Sequence, residues 1–320
     1  MIWQKIHPNQ LPIGAAAWLA WLLFVRPSPL DPMWARGILL LAPLVIVPMA
    51  TAVLARTASV SDAGFLGKII HWQLPAALLF AVAFLMPNGW LSMLCVMPWA
   101  AVTFAFAYIG LRQLSGGAWR QGPSFAVAMG MAYLSVAGIW AIMERLGFYP
   151  FHFNPEIVFL TIVHFHYAGF TLPVLVGLAA KKSGGIFNQV ICYLTVAAVG
   201  MLAIGITFTQ LGLGTDWEMV SAWLMALSAA AVGWMHFRLA LTPQYPLKIR
   251  ILWMMSALLL LGGMLLAALY GSRFLLPVDW LDIPMMRALH GTLNAVGFGF
   301  FGVAGWFLSS KTNLSAPHVP

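Results

Sequence analysis

Residues 157–180 read IVFLTIVHFHYAGFTLPVLVGLAA, 24 residues bounded by Glu156 and Lys181 that contain no Lys, Arg, Asp or Glu. At about 1.5 Å of rise per residue a helix of this length reaches about 36 Å, enough to cross the roughly 30 Å hydrocarbon core of a bilayer. The rest of the chain has the same character. Of 320 residues, 62% are hydrophobic, 13% aromatic and 8% charged, and the mean hydropathy is +0.90. A soluble domain is about 25% charged, so this chain lacks the polar residues needed to cover a water-facing surface. It reads as an all-α protein solvated by lipid. The net charge of +8 comes from 16 Lys and Arg set against 8 Asp and Glu. That charge is spread thinly between apolar stretches, which excludes a disordered chain and a nucleic-acid binder.

Cutting the chain wherever charges or Pro, Gly and Asn clusters interrupt apolar runs gives ten spans: 11–25, 37–55, 69–86, 90–111, 124–143, 157–180, 186–211, 220–237, 251–270 and 286–308. The first is short, and is read as a retained span and not a cleaved signal. Between the third and fourth, Pro87-Asn88-Gly89 is a tight-turn signal that makes the pair a hairpin. No intervening stretch is long enough for a second domain, so residues 1–320 read as one transmembrane bundle. Cys95 and Cys192 lie inside apolar runs and suggest neither a disulfide nor a thiolate metal site.

Lys and Arg set the orientation, because positively charged loops stay in the cytoplasm. With the N-terminus inside, the inner segments carry Lys5, Arg56, Lys68, Arg112, Arg120, Lys181, Lys182, Arg238, Lys248, Arg250 and Lys311. The outer ones carry Arg26, Arg36, Arg145, Arg273 and Arg287. Both termini are expected to be cytoplasmic. All the acids except Asp62 fall outside: Asp31, Glu144, Glu156, Asp216, Glu218, Asp279 and Asp282.

No acid lies deep in a span, which leaves histidine as the titratable group at membrane depth, where polar side chains point to function. In the sixth span His164 and His166 lie about 200° apart around a helix, so only one can face a given site. His166, Gly169, Pro173 and Gly177 form a stripe of small or kinking residues, so His166 is expected to hold the inward face and His164 to turn toward another neighbour near Thr171. In the tenth span Arg287, His290 and Asn294 share one face, and Gly291, Ala295, Gly299 and Gly302 form a small-residue seam for close helix packing. The expected site is one outward-facing cavity between the sixth and tenth spans, lined by His166, His290, Arg287 and Asn294, with His164 nearby. Glu144, Glu156, Asp216, Glu218, Asp279 and Asp282 form its acidic entrance. The plainer reading makes these histidines polar tethers between helices. His71 and His236 are read as interfacial anchors, and His7, His152 and His318 as solvent or interface residues.

The helix-borne metal spacing His-Glu-x-x-His and the phosphate-cradling Gly-x-x-x-x-Gly-Lys loop are both missing. No motif requires a cofactor and no catalytic residue is assigned. A metal or haem would fall to His166 and His290. The run HFHYAGF at 164–170, followed by Thr171-Leu172-Pro173 and Gly177, together with Leu-His-Gly-x-Leu-Asn-Ala-x-Gly-Phe at 289–298, resembles the bacterial YndJ-like integral membrane proteins. The resemblance covers the chain from about residue 140 onward. It implies a protein of the bacterial plasma (inner) membrane, in a family sometimes labelled a transporter, and marks His164, His166, His290 and Asn294 as motif positions. The leading functional reading is a small-solute transporter or permease whose partners are the lipid bilayer and that solute. The alternatives are a metal- or haem-binding redox protein or enzyme, and a structural or assembly subunit.

Overall fold

The computed structural model describes residues 10–57 and 59–312, so the readings placed on Lys5, His7 and His318 lie outside the described residues. Among the described residues there are ten long helices and no strand. They are α1 (Gln10–Val25), α2 (Pro32–Thr57), α3 (Val60–Ala83), α4 (Trp90–Ser115), α5 (Gly122–Leu146), α6 (Pro155–Ser183), α7 (Ile186–Gln210), α8 (Asp216–Ala240), α9 (Leu247–Gly271) and α10 (Ile283–Ser309). Nine are long and apolar enough to cross a membrane, and α1 is the short exception at 16 residues. Each expected span coincides with one helix, and most helices run a few residues past the apolar window. Charged first and last turns account for the difference. Asp216 and Glu218 open α8, and Lys181 and Lys182 close α6, each placed where the helix dipole favours its sign. Around Pro87-Asn88-Gly89 the chain turns from α3 into α4. The Gly89 N–H donates to the Arg145 carbonyl at 2.7 Å and the Asn88 amide to the Glu144 carbonyl at 2.8 Å, which pins the turn to the end of α5.

Three helices are built alike. α2, α6 and α10 each begin with an Asx side chain capping the first turn beside a proline. Asp31 accepts from Met33 N–H at 2.7 Å, Asn154 from Glu156 N–H at 2.8 Å and Asp282 from Met285 N–H at 2.8 Å, with Pro32, Pro155 and Pro284 in the first helical positions. Such a cap satisfies one of the N–H groups that a helix start leaves unpaired, and proline there sacrifices no bond. Each of the three then widens into π turns: Ala42–Ile46 in α2, Phe165–Thr171 in α6, and Arg287–Gly291 with Leu293–Phe300 in α10. In α2 and α6 the cause is visible in sequence. Pro48 and Pro173 each sit two residues past the π segment, and a proline has no N–H for the carbonyl four residues back and clashes with it. Those carbonyls belong to Leu44 and Gly169, inside the widened turns. In α10, which has no internal proline, Gly291, Gly297 and Gly299 occupy the π turns instead.

The three helices meet at the centre of the bundle. The Tyr167 hydroxyl of α6 donates to the Ile38 carbonyl of α2 at 2.7 Å, and the Trp34 indole of α2 donates to the Thr292 hydroxyl of α10 at 2.8 Å. Leu39, Leu40, Ala42, Ile46 and Val47 of α2 are fully buried. Helices α2, α6 and α10 run in one direction, starting from the face that carries Asp31, Glu144, Glu156, Asp216, Glu218, Asp279 and Asp282 (the acidic face). The opposite, basic face carries Arg56, Lys68, Arg112, Lys181, Lys182, Arg238 and Lys248.

Candidate functional site: a cavity in the acidic half of the bundle

A cavity of about 580 Å³ lies in the acidic half of the bundle, walled by α5 to α10 and touched by α2. Its mouth is framed by Phe153, Gln210, Glu218, Arg273 and Arg287, and its inner end by Leu172, Met225, Leu260 and Phe298. The mouth continues into a second chamber that shares Tyr270, Arg273 and Ile283 with the first and adds Glu156, Asp279 and Asp282.

Four of the anticipated residues line the main cavity: His290, Asn294 and Arg287 of α10, and His164 of α6. His290 Nδ1–H donates to the Gly263 carbonyl of α9 at 2.9 Å, and the Asn294 amide donates to the His290 carbonyl at 2.9 Å. The Asn294 amide rests on Gly263, where an added Cβ would stand 2.7 Å from Asn294 Oδ1. A glycine is required here because any side chain would displace the amide. Arg287 pairs with Glu156 and also donates to the Leu30 carbonyl at 2.6 Å, tying α10 to α6 and to the α1–α2 connection.

On α6 the two histidines exchange the places expected of them. His164 lines the cavity, within electrostatic range of His290, and its Nε2 is buried with no hydrogen-bond partner. His166 faces away. Its Nδ1–H donates to the Ile162 carbonyl at 2.8 Å, and its Nε2 accepts from the Trp99 indole of α4 at 3.0 Å. An indole can only donate, which fixes this histidine as the neutral Nδ1–H tautomer. The imidazole lies nearly coplanar with the Trp99 indole, edge to edge, and is fully buried. The expected facing was reversed because a stripe of small residues marks close helix contact, and close contact leaves no room for a cavity. An added Cβ at Gly130 of α5 would stand 3.1 Å from the Phe170 carbonyl and 3.2 Å from Pro173, and one at Gly177 of α6 would stand 2.7 Å from Val127, so this face of α6 is packed closely against α5. Thr171 likewise lies on the packed side, its hydroxyl donating to the His166 carbonyl at 2.8 Å.

His236 is a second correction. It is fully buried, not interfacial, and repeats the His166 arrangement: Nδ1–H donates to the Val232 carbonyl at 3.1 Å and Nε2 accepts from the Trp306 indole at 3.2 Å. Nothing in the sequence brings Trp99 to His166 or Trp306 to His236, which lie 67 and 70 residues apart. His71 bonds the Gly67 carbonyl at 2.7 Å within its own helix.

The anticipated acidic entrance divides. Glu156, Asp279 and Asp282 line the outer chamber, and Glu218 lines the main cavity, where it accepts from Arg273 at 2.7 Å. Glu144 is placed elsewhere, in a buried ion pair with Arg145, whose guanidinium also donates to the Ala83 carbonyl at 3.1 Å and lies 4.4 Å from the centre of the Phe84 ring. Asp216 lines neither chamber. Gly291 and Ala295 border the cavity, whereas Gly299 and Gly302 are true packing positions. A Cβ at Gly299 would stand 3.2 Å from the Tyr167 ring, and one at Gly302 would stand 2.8 Å from Ser256 Oγ and 2.9 Å from a Leu175 methyl. The π turns rotate the phase of α10, so one expected seam serves two purposes.

A haem or metal held between His166 and His290 would need a ring nitrogen from each, and both nitrogens of His166 are engaged. Among the described residues no group of three or more His, Cys, Asp or Glu is placed to hold a metal ion. The wall residues that the sequence reading did not assign to the cavity are chiefly Arg273, the partner of Glu218, together with Tyr270, Trp140 and Phe153, the last two with near-parallel rings 6.1 Å apart. Long apolar helices carry many aromatics, and sequence spacing alone does not separate those that face a cavity from those that face lipid.

The family model described as YndJ-like protein matches residues 37–298, which extends the likeness into the first half of the chain. The chain is also similar to the uncharacterized membrane protein YndJ of Bacillus subtilis (strain 168), with 24% identity over 310 residues that cover 96% of this chain and 54% of that protein. The chain thus spans about half the length of that curated relative. No solved structure matches the chain.

Proposed function

We propose, from the premise that this chain belongs to the YndJ-like protein family, that it is a small-solute transporter of the plasma (inner) membrane, with its acidic face outside and its termini in the cytoplasm. The chain is a multi-pass membrane protein. The observation that carries the rest is the one-sidedness of the bundle. The acidic half contains a cavity of about 580 Å³, and the basic half beneath it is closed. There Gly302 is wedged against Ser256 and Leu175, an added Cβ at Gly305 would stand 2.7 Å from Trp253, the Trp253 and Trp306 rings lie 5.0 Å apart, and Trp306 is bonded to His236. A cavity at mid-membrane that is open to one side and sealed to the other is the arrangement alternating access requires. The π turns offer a means of change. Each holds one residue more per hydrogen-bonded ring than an α turn, so converting one to α geometry turns the helix beyond it by about 100°. The π turns lie in α2, α6 and α10, the helices that meet beside the cavity.

The test uses Leu260→Cys, at the inner end of the cavity, in a background with Cys95→Ser and Cys192→Ala. The variant is labelled with a membrane-impermeant thiol reagent in right-side-out and in inverted vesicles. Transport predicts labelling from both sides. Labelling from the acidic side alone contradicts it and favours an assembly subunit.

A further inference from the structure

Resting on the transport reading, we infer that the solute is a membrane lipid. The hydrocarbon chain of a glycerolipid from the leaflet on the acidic face lies in the cavity, which it enters sideways between α5 and α7. Three observations lead there.

First, α5 and α7 are locked together in the basic half of the bundle, and in the acidic half the cavity lies between them. An added Cβ at Gly122 of α5 would stand 2.5 Å from the Gln189 carbonyl of α7, the Phe125 and Tyr193 rings lie 5.0 Å apart, and the Tyr133 hydroxyl donates to the Val196 carbonyl at 3.2 Å. Further along, Val136 and Trp140 of α5 and Leu202, Ala203 and Ile206 of α7 line the cavity and are only half-buried. The burial of α7 changes at the same point. Seven residues are buried within 186–199, and within 200–210 Gly205 alone is, pressed against Trp217 and Glu218 of α8. Protein therefore covers the acidic half of α7 chiefly along its α8 side. Ile139 and Ile204, next to Trp140 and Ala203, are exposed. At about 1.5 Å per residue, Val136 lies about 15 Å and Ile206 about 6 Å below the acidic ends of their helices. That depth is within the hydrocarbon core, about 30 Å thick, so what stands beside the gap is acyl chain.

Second, the cavity is as deep as one leaflet. Met225 and Leu260, at its inner end, lie about 14 and 16 Å below the acidic ends of α8 and α9 at about 1.5 Å per residue. Half of the hydrocarbon core is about 15 Å. The volume of about 580 Å³ also falls within the roughly 300–1,000 Å³ of small-molecule sites.

Third, the wall suits a body with no polar groups. Leu160, Leu202, Met225, Leu260, Met264 and Phe298 contribute branched chains, thioethers and a ring. Polar side chains on the wall spend their bonds inside the protein: Thr161 and Thr207 donate to the Ile157 and Ala203 carbonyls at 2.8 Å, Tyr167 to Ile38 at 2.7 Å and His290 to Gly263 at 2.9 Å. His164 Nε2 and Asn294 Oδ1 are buried beneath the wall surface. A polar solute would give up hydrogen bonds to water that this wall does not replace, whereas a hydrocarbon chain gives up none. The ion pairs Glu218–Arg273 and Arg287–Glu156 stand at the mouth, at the level where a lipid's polar head begins.

The experiment places the full chain in nanodiscs of phosphatidylcholine containing a small fraction of phosphatidylcholine whose palmitoyl chain ends in a diazirine. After illumination the attachment sites are mapped by mass spectrometry. Attachment is expected at Met225, Leu260 or Met264 on the cavity wall, as well as at Leu258 and Leu265, which are exposed. Ala203→Trp sets a bulky ring in the gap between α5 and α7, and is expected to abolish attachment in the cavity while that at Leu258 and Leu265 is unchanged. Ile206→Trp serves if Ala203→Trp fails to fold. Palmitic acid carrying the same diazirine, added in place of the labelled phospholipid, is expected to leave the cavity wall unlabelled. No attachment in the cavity of the unsubstituted chain, cavity attachment that survives both substitutions, or cavity attachment by the free acid equal to or above that by the phospholipid overturns the inference. The two-sided labelling of Leu260→Cys is read without any labelled lipid, so the outcomes separate. Two-sided labelling with an unlabelled cavity wall removes the lipid and leaves transport. One-sided labelling with phospholipid attached in the cavity removes transport and leaves a lipid-binding site.

Discussion

Trp99→Phe separates a histidine that holds helices together from one that serves the cavity. The indole of Trp99 is fully buried, and its N–H satisfies the buried Nε2 of His166 at 3.0 Å. Phenylalanine keeps an aromatic ring against the imidazole and removes the donor. Interhelical hydrogen bonds in a measured membrane bundle contribute about 0.6 kcal/mol on average and about 1.7 at most. The smaller ring also leaves roughly 40 Å³ unfilled, which at about 24 cal/mol per Å³ adds about 1 kcal/mol. The expected loss is therefore about 2 kcal/mol, read as a shift in the midpoint of denaturing-detergent titration followed by circular dichroism. A cycle that combines Trp99→Phe with His166→Leu isolates the pair, with an expected coupling of about 0.6 to 1.7 kcal/mol. His164→Phe, at a nitrogen that bonds nothing in the protein, is expected to change stability by less than about 0.5 kcal/mol. Coupling indistinguishable from zero, or a larger loss for His164→Phe than for Trp99→Phe, would refute the division of roles on α6.

Gly302→Leu and Gly299→Leu are expected to lower membrane levels and melting temperature sharply, because the new side chains meet Ser256, Leu175 and the Tyr167 ring; Leu308→Gly, outside that seam, is expected to be far milder. Arg145→Met leaves the buried Glu144 carboxylate without its partner and is expected to cost about 3–5 kcal/mol, with Glu144→Gln added to it recovering part of the loss in the same titration. Reporter fusions after Lys182 and after Lys248 are expected to read cytoplasmic and one near Asp216 external, and an opposite reading at any of the three breaks the assigned orientation.

Hydropathy located all ten helices, because in lipid every backbone polar group must be satisfied within the segment and a helix is the way to do it. What it left out were the helix ends, where Asp31, Asn154 and Asp282 cap first turns that lie outside the apolar windows. The stripe Arg287, His290 and Asn294 was legible because it lies on a single helix. The two α6 histidines were legible as a pair facing opposite ways, but which of them faces the cavity was not. That choice depends on α5, whose Gly130 packs closely against the small-residue face of α6, and on a π segment that helical-wheel spacing does not register. Pro48 and Pro173 are the signal that was present: each stands four residues after a carbonyl it cannot bond, inside the turn that widens. The tethers Trp99–His166 and Trp306–His236 join helices distant in sequence, and no local pattern encodes them.

The central claim, that His164 and His290 share one cavity on the acidic face while His166 does not, is tested most directly by crosslinking in the background with Cys95→Ser and Cys192→Ala. The account predicts that His164→Cys with His290→Cys is joined by a short bifunctional thiol reagent applied from the acidic face, and that His166→Cys with His290→Cys is not. Crosslinking of the 166–290 pair in folded protein, with the 164–290 pair silent, would contradict it.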